Sequence, residues 1–203
     1  MIMRLSFIQD RIKSYNAKLR DSNVNHDASK KIQKPHGDVR HAAVLIPILS
    51  QRDGLTLLLT QRTDHLDNHP GQVSFPGGVT EANDDTLEHT ALRETREEIG
   101  LKHSNIDILG RIDTLETSSG FSVTPIVGVV NHPFSISVDP NEVASVFEVP
   151  LEYLFNPKNH EYTTRICDNK RYRGYSIAYN GYDIWGVTAA IIHNFYRVLE
   201  GEI

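Results

Sequence analysis

The sequence holds one cysteine, Cys167, among 203 residues. That excludes an internal disulfide and points to a reducing compartment. A lone thiol with no base argued for it reads as a bystander, not a nucleophile. No apolar run approaches the roughly 20 residues that a membrane-spanning helix needs. Met1-Ile2-Met3 is followed by Arg4, without the apolar stretch of a signal peptide. Gly201-Glu202-Ile203 is not a peroxisomal address. The expectation is a soluble, cytoplasmic protein with no membrane partner. Positive charge is also short: 21 Lys and Arg stand against 26 Asp and Glu, a formal net charge of −5. General nucleic-acid binders carry a basic excess, so no nucleic-acid partner is expected. A small anionic substrate stays open, because local arginines and a metal ion can overcome the mean field. Internal repeats and low-complexity tracts are missing too, which excludes a solenoid.

What is present suits one domain with an appended helix. Leu5, Ile8, Ile12, Tyr15 and Leu19 fall at helical spacing, which predicts an amphipathic helix packed on the domain or on a second copy in a homodimer. Residues 20–38 are polar and end in Pro35 and Gly37, a linker. The division is an N-terminal helix and linker over 1–37 and a main domain over 38–203. Ala42 to Leu49 and Leu55 to Gln61 read as strands around the Arg52-Asp53-Gly54 turn. Val73 to Phe75 is a short strand feeding a glycine turn at Gly77-Gly78. Ile106 to Leu115 and Val123 to Val130 read as paired strands, and Val143 to Val149 as another. A hairpin is expected across Asp168-Asn169-Lys170. The final helix, Gly186 to Leu199, would turn Val187, Ala190, Ile191, Asn194, Phe195 and Val198 inward, with Trp185 as a core anchor. The pattern is α/β, a mixed β-sheet between helices.

The chemistry concentrates in Arg93-Glu94-Thr95-Arg96-Glu97-Glu98-Ile99-Gly100-Leu101. On a helix running from Asp85 or Thr86 to Ile99, Glu94, Glu97 and Glu98 stand at i, i+3 and i+4, on one side within about a turn. Like charges so placed disfavour an isolated helix by a few tenths of a kcal/mol per pair, roughly; a divalent cation reverses that sign. Oxygen ligands on a rigid element suit Mg²⁺ or Mn²⁺. A lone glutamate-rich face is more often solvated surface. Here Gly77-Gly78 precedes the helix and Gly100 stops it, which favours the metal-binding reading. Paired glycines let a backbone approach phosphate closely; elsewhere they are more often a plain turn. Arg93 reads as a strut that orients a neighbouring glutamate.

This segment resembles the Nudix box, G-x5-E-x7-R-E-U-x-E-E-x-G-U, where U is bulky and apolar. Arg93, Glu94, Glu97, Glu98, Gly100 and Leu101 match it. Thr95 departs from it at a U position. Counting back from Arg93 puts the first box acid on Asp85; counting forward from Gly78 puts it on Asp84, so the loop carries one extra residue. Leu58-Leu59-Thr60-Gln61-Arg62, His69, Gly71-Gln72-Val73 and Phe75-Pro76-Gly77-Gly78 resemble the signature of the coenzyme A pyrophosphatase branch of that family, where the extra residue is expected. Thr63 stands where that signature has Ser.

The resemblance implies a Nudix α/β/α sandwich and metal-dependent hydrolysis of the pyrophosphate in coenzyme A or its derivatives. Glu94, Glu97 and Glu98 would hold Mg²⁺ or Mn²⁺. Arg62, His69, Gly77 and Gly78 would contact substrate, arginine by donating two hydrogen bonds to phosphate. Arg93, Glu97, Glu98 and Glu142 make up the catalytic set. The final proton acceptor is open between Glu97, Glu142 and metal-activated water. Glu148 is a further candidate, as near a surface carboxylate as a ligand. The alternatives are a Nudix pyrophosphatase for another nucleoside diphosphate derivative, such as NADH or ADP-ribose, or for a nucleoside triphosphate, and a non-catalytic coenzyme A or nucleotide binder.

Overall fold

The computed structural model describes residues 3–21, 39–66, 69–167 and 170–203. The linker expected over 20–38 lies almost wholly outside the described residues, as do Asp168 and Asn169 of the expected turn.

The fold is built on a splayed hairpin. Strands β1 (Arg40–Gln51) and β2 (Gly54–Arg62) pair from Ile48–Leu57 to Gln51–Gly54 and then part. The segment 73–79 fills the gap. Its first half, β3 (Val73–Ser74), pairs with β2, and its second, β4 (Gly77–Val79), pairs antiparallel with β1. Between them the Leu45 N–H donates to the Pro76 carbonyl at 2.8 Å. Gly77-Gly78 is therefore strand, not the turn expected from its composition. The reason is steric: a Cβ at Gly77 would collide with the β1 backbone at Ala43 and Val44, so only glycine lets the two strands meet here.

The other edge of β1 pairs in parallel with β7 (Phe121–Val130) along almost its whole length. β5 (Ile106–Arg111) and β6 (Leu115–Glu116) pair antiparallel with β7. The one strand expected over 106–115 is thus two, interrupted at residues 112–114. β8 (Val143–Pro150) closes the far side on β2. A smaller antiparallel sheet joins β9 (His160–Cys167), β10 (Lys170–Tyr179) and β11 (Tyr182–Trp185).

Alternation along the strands feeds two cores. On one face Ala43, Leu45, Leu58 and Ile126 pack with Ala91 and Ile99 of helix α2 (Leu87–Ile99). On the other, Ile46, Ile48, Leu57 and Val127 pack with α1 (Leu5–Asp21), the short α3 (Leu151–Leu154) and α4 (Gly186–Glu200). The result is a mixed sheet between helical layers. Ile8 and Ile12 of α1 are fully buried in this core. The Tyr15 hydroxyl donates to Asp113 Oδ1 at 2.5 Å, and Asn16 Nδ2 donates to the Arg111 carbonyl at 3.1 Å. α1 therefore packs on its own domain.

Two expectations for α4 change. Of the residues expected inward, Ile191, Phe195 and Val198 are buried, Ala190 and Asn194 are half-buried and Val187 is exposed; Thr188, Ala189, Ile192 and Leu199 complete the buried face. Trp185 is half-buried rather than a core anchor, with the Arg165 guanidinium carbon 5.1 Å from its ring centroid. Among the described residues no helix is long and apolar enough to cross a membrane.

Candidate active site

α2 is fixed at both ends by its sequence. Thr86 is the N-cap, its side chain accepting from the His89 N–H at 3.1 Å. Gly100 ends the helix at φ 70°, its N–H returning to the Arg96 carbonyl. Thr95, a polar residue between Ala91 and Ile99 on the face that α2 turns to the sheet, is fully buried. Its hydroxyl donates to the Ala91 carbonyl at 2.6 Å, satisfying the polar group inside the helix.

Of the two candidates for the first box acid, Asp84 is the one that Arg93 holds. Asp85 is exposed, whereas Asp84 is buried and accepts from the Glu81 N–H at 2.9 Å and the Thr90 hydroxyl at 3.0 Å. Arg93 grips both its oxygens, Nε to Oδ1 at 3.1 Å and Nη2 to Oδ2 at 2.9 Å. Burial opposes ionisation of Asp84, but the bonds from Arg93, the Glu81 N–H and Thr90 together outweigh it, and its pKa falls to about 2. Arg93 also donates from Nη2 to the Val79 carbonyl at 3.0 Å. Its Nη1 lies 2.9 Å from Glu94 Oε1 and 2.9 Å from Glu97 Oε2. The arginine is thereby a brace: it ties loop, β4 and two glutamates together, and the bond to Asp84 leads the causes that hold its pKa above the usual range.

Glu98 is the most enclosed of the three helix glutamates, its side chain 3% exposed. Burial pushes its pKa up to about 8; the Gly77 N–H, donating to Oε2 at 3.2 Å, opposes this, and the charges of Glu94 and Glu142 add to it. Arg62, at the end of β2, brings Nη1 to 3.9 Å from Glu98 Oε1, and its buried Nε has no hydrogen-bond partner. The Glu94 carboxyl is likewise raised, first by burial, against the pull of Arg93 and with Glu97 and Glu142 adding to it. Glu94 lies against Gly78: a Cβ there would stand 2.5 Å from the carboxylate carbon. The glycine pair thus has two local tasks, room for β1 at Gly77 and room for Glu94 at Gly78.

Glu142 reaches this cluster from outside the helix. The Asp139 N–H donates to the Glu98 carbonyl at 2.9 Å, and the Glu142 carbonyl accepts from the Thr63 N–H at 3.0 Å. The 139–142 turn is therefore clamped between α2 and the start of the loop after β2. Glu148 lies apart, accepting from Gln51 and the Thr56 hydroxyl. His69 sits exposed in the loop between β2 and β3 with φ 55° and is not part of the buried cluster. Sequence reasoning missed Val79, whose carbonyl holds Arg93; the signal would have been β4 itself.

Among the described residues no three His, Cys, Asp or Glu side chains already stand in the geometry of a metal cage. The donor set nonetheless fits a hard divalent ion. Glu94, Glu98 and Glu142 are mutually repelling carboxylates, Glu98 is costly to ionise where it stands, and Gly78 leaves the carboxylate its space. Glu94 and Glu97 are at present held by Arg93.

A family model for the NUDIX domain matches residues 39–170. A relative from Photorhabdus laumondii, given as the uncharacterized Nudix hydrolase NudL, is 43% identical over 161 residues, covering 79% of this chain and 86% of its own. A relative of the same description from Yersinia enterocolitica is 44% identical over 152 residues, covering 75% and 77%. Among solved structures, the MutT protein from Methanosarcina mazei Go1 aligns with a TM-score of 0.53 at 16% identity, covering 83% of this chain and 98% of that one. That likeness is one of fold.

Proposed function

The chain belongs to the Nudix family, and from that premise we propose that it hydrolyses the pyrophosphate bond of coenzyme A or one of its derivatives. The products would be adenosine 3′,5′-bisphosphate and 4′-phosphopantetheine or its acylated form. Action on the pyrophosphate bond of a nucleoside diphosphate derivative follows from the family; the choice of coenzyme A rests on the 58–78 segment. One observation carries the reading: that segment delivers Arg62, with a buried and unpartnered Nε, beside Glu98, while Gly77 and Gly78 abut Glu98 and Glu94.

Nudix hydrolases generally use Mg²⁺ or Mn²⁺, and Glu94, Glu97 and Glu98 are the groups that would hold the ion here. Bound there, it would neutralise pyrophosphate charge and acidify a water. The rest falls to the protein. Arg62 offers its fork to a phosphate oxygen. His69, on the exposed loop, would add a second contact to that anion, and the Gly77-Gly78 backbone would line its approach. Arg93 keeps Glu94 and Glu97 aimed. Glu142 or Glu97 accepts the proton as the water oxygen attacks phosphorus and the bridging P–O bond breaks. Phosphoryl chemistry needs positioning and charge stabilisation above all, which this set supplies.

The test is incubation of the full chain with coenzyme A and Mg²⁺ or Mn²⁺, an EDTA control, and mass spectrometry of the products. Cleavage to the two named products, abolished by EDTA, supports the reading. An intact coenzyme A beside clean cleavage of NADH or ADP-ribose would sink the substrate and leave the chemistry.

A further inference from the structure

The apolar face of α1 is taken up by the chain's own core; an unpaired strand edge lies elsewhere. The smaller sheet has the order β11-β10-β9, which leaves β9 with a free edge among the described residues. That edge is eight residues long and carries neither proline nor bulge, two of the devices that protect an edge; its charged residues are Glu161 and Arg165. Tyr162 and Ile166, the third and seventh residues of the strand and on one face of it, are 65% and 68% exposed.

The register fixes which backbone groups face outward. Cys167 pairs with Lys170 across a two-residue connection, so they form the hydrogen-bonded closing pair. Bonded and non-bonded pairs alternate along an antiparallel ladder. Ile166–Arg171, Thr164–Arg173 and Tyr162–Tyr175 are then non-bonded pairs. The N–H and C=O groups of Tyr162, Thr164 and Ile166 consequently point away from β10, toward the open edge.

We propose that β9 is a dimerisation strand, pairing antiparallel with β9 of a second copy about a two-fold axis at Thr164. This register is self-complementary. Tyr162 stands opposite Ile166 of the second copy and Ile166 opposite its Tyr162, an aromatic with a β-branched residue, a stabilising cross-strand pair. Every outward N–H and C=O of the three residues meets its counterpart. Charge agrees. From Thr164 to Gly174 the sequence has four cations, Arg165, Lys170, Arg171 and Arg173, against one acid, Asp168. This hairpin end is net +3; the chain's −5 leaves −8 for the rest. Antiparallel pairing carries each basic tip away from the other tip and onto the base of the other hairpin. There Glu161 stands opposite Cys167 and diagonal to Arg165, whose guanidinium is already paired with Asp183 of its own chain.

The test is the mass of the full chain by sedimentation equilibrium over a broad concentration range. Wild type is expected at twice the chain mass. Thr164→Pro removes an outward N–H and spares the ladder to β10; Ile166→Lys sets a charge opposite Tyr162. Both are expected at the single-chain mass with unchanged far-UV circular dichroism. Val187→Lys, an exposed position on α4, is expected to stay dimeric. Should Thr164→Pro lose its circular dichroism, Ile166→Lys decides alone. A monomeric wild type, or an Ile166→Lys variant still dimeric, overturns the proposal.

Discussion

Arg93 and Asp84 are joined by two parallel hydrogen bonds, Nε to Oδ1 at 3.1 Å and Nη2 to Oδ2 at 2.9 Å. The pair anchors the box helix to the loop that precedes it, and the same guanidinium holds two glutamates. Arg93→Lys keeps the charge and loses the fork. Turnover is expected to fall about 10- to 100-fold, with a weaker apparent affinity for the activating ion. A metal titration of the variant at wild-type turnover would contradict this.

The pH dependence of stability should carry the mark of Asp84. Its folded pKa, about 2, lies below the ordinary carboxylate value of 3.8. A lowered carboxylate stabilises the fold above its unfolded pKa, and the contribution fades as pH falls through the folded one. Asp84→Asn removes that dependence and weakens the hold on Arg93, which keeps Glu94 and Glu97, a loss of about 1–3 kcal/mol. Urea melts of both proteins between neutral pH and the onset of acid unfolding are expected to converge as the pH drops.

Glu98 runs the other way. Its folded pKa of about 8 means that, without metal, ionising it costs stability as pH rises from the unfolded value toward 8. Glu98→Gln should lower turnover on the order of 10³-fold. In EDTA at alkaline pH it should nonetheless melt no lower than wild type. Thermal scans with and without Mg²⁺ read both effects, and a metal-induced rise in Tm is expected for wild type alone.

The two glycines should separate by assay. Gly77→Ala drives a Cβ into the β1 backbone and should cost stability, about 1–3 kcal/mol. Gly78→Ala meets a side-chain carboxylate instead, so the fold should survive while Glu94 is displaced and activity falls. Equal losses of Tm in the two variants would refute the division.

Ile12 tests whether the first helix belongs to the domain. It is fully buried, so Ile12→Ala should cost about 2–5 kcal/mol, read as a lower denaturant midpoint for the whole chain in one transition.

The box helix was legible because its caps, stripe and glutamates lie within one local stretch and follow one period. Glu142 was visible as a candidate, but only the 139–142 clamp separates it from Glu148, and that clamp joins elements far apart in sequence. β4 was hidden since glycine has little strand propensity; its strandedness comes from what β1 and Glu94 require of it. The phase of α4 slipped because Val187 is apolar yet falls in the first turn, facing out. His69, singled out by resemblance, lies in an exposed loop whose course no periodicity specifies.

The parallel pairing of β1 with β7 also orders events in time. Ala42 pairs with Val123 and Leu49 with Val130, so the central strand emerges from the ribosome long before its neighbour is made. The box helix is synthesised in between, when one edge of its supporting sheet is still open. Pairings so distant close slowly, and chains cut off before residue 130 should carry every box glutamate yet fail to fold. The catalytic motif is local; its assembly waits on the second half of the polypeptide.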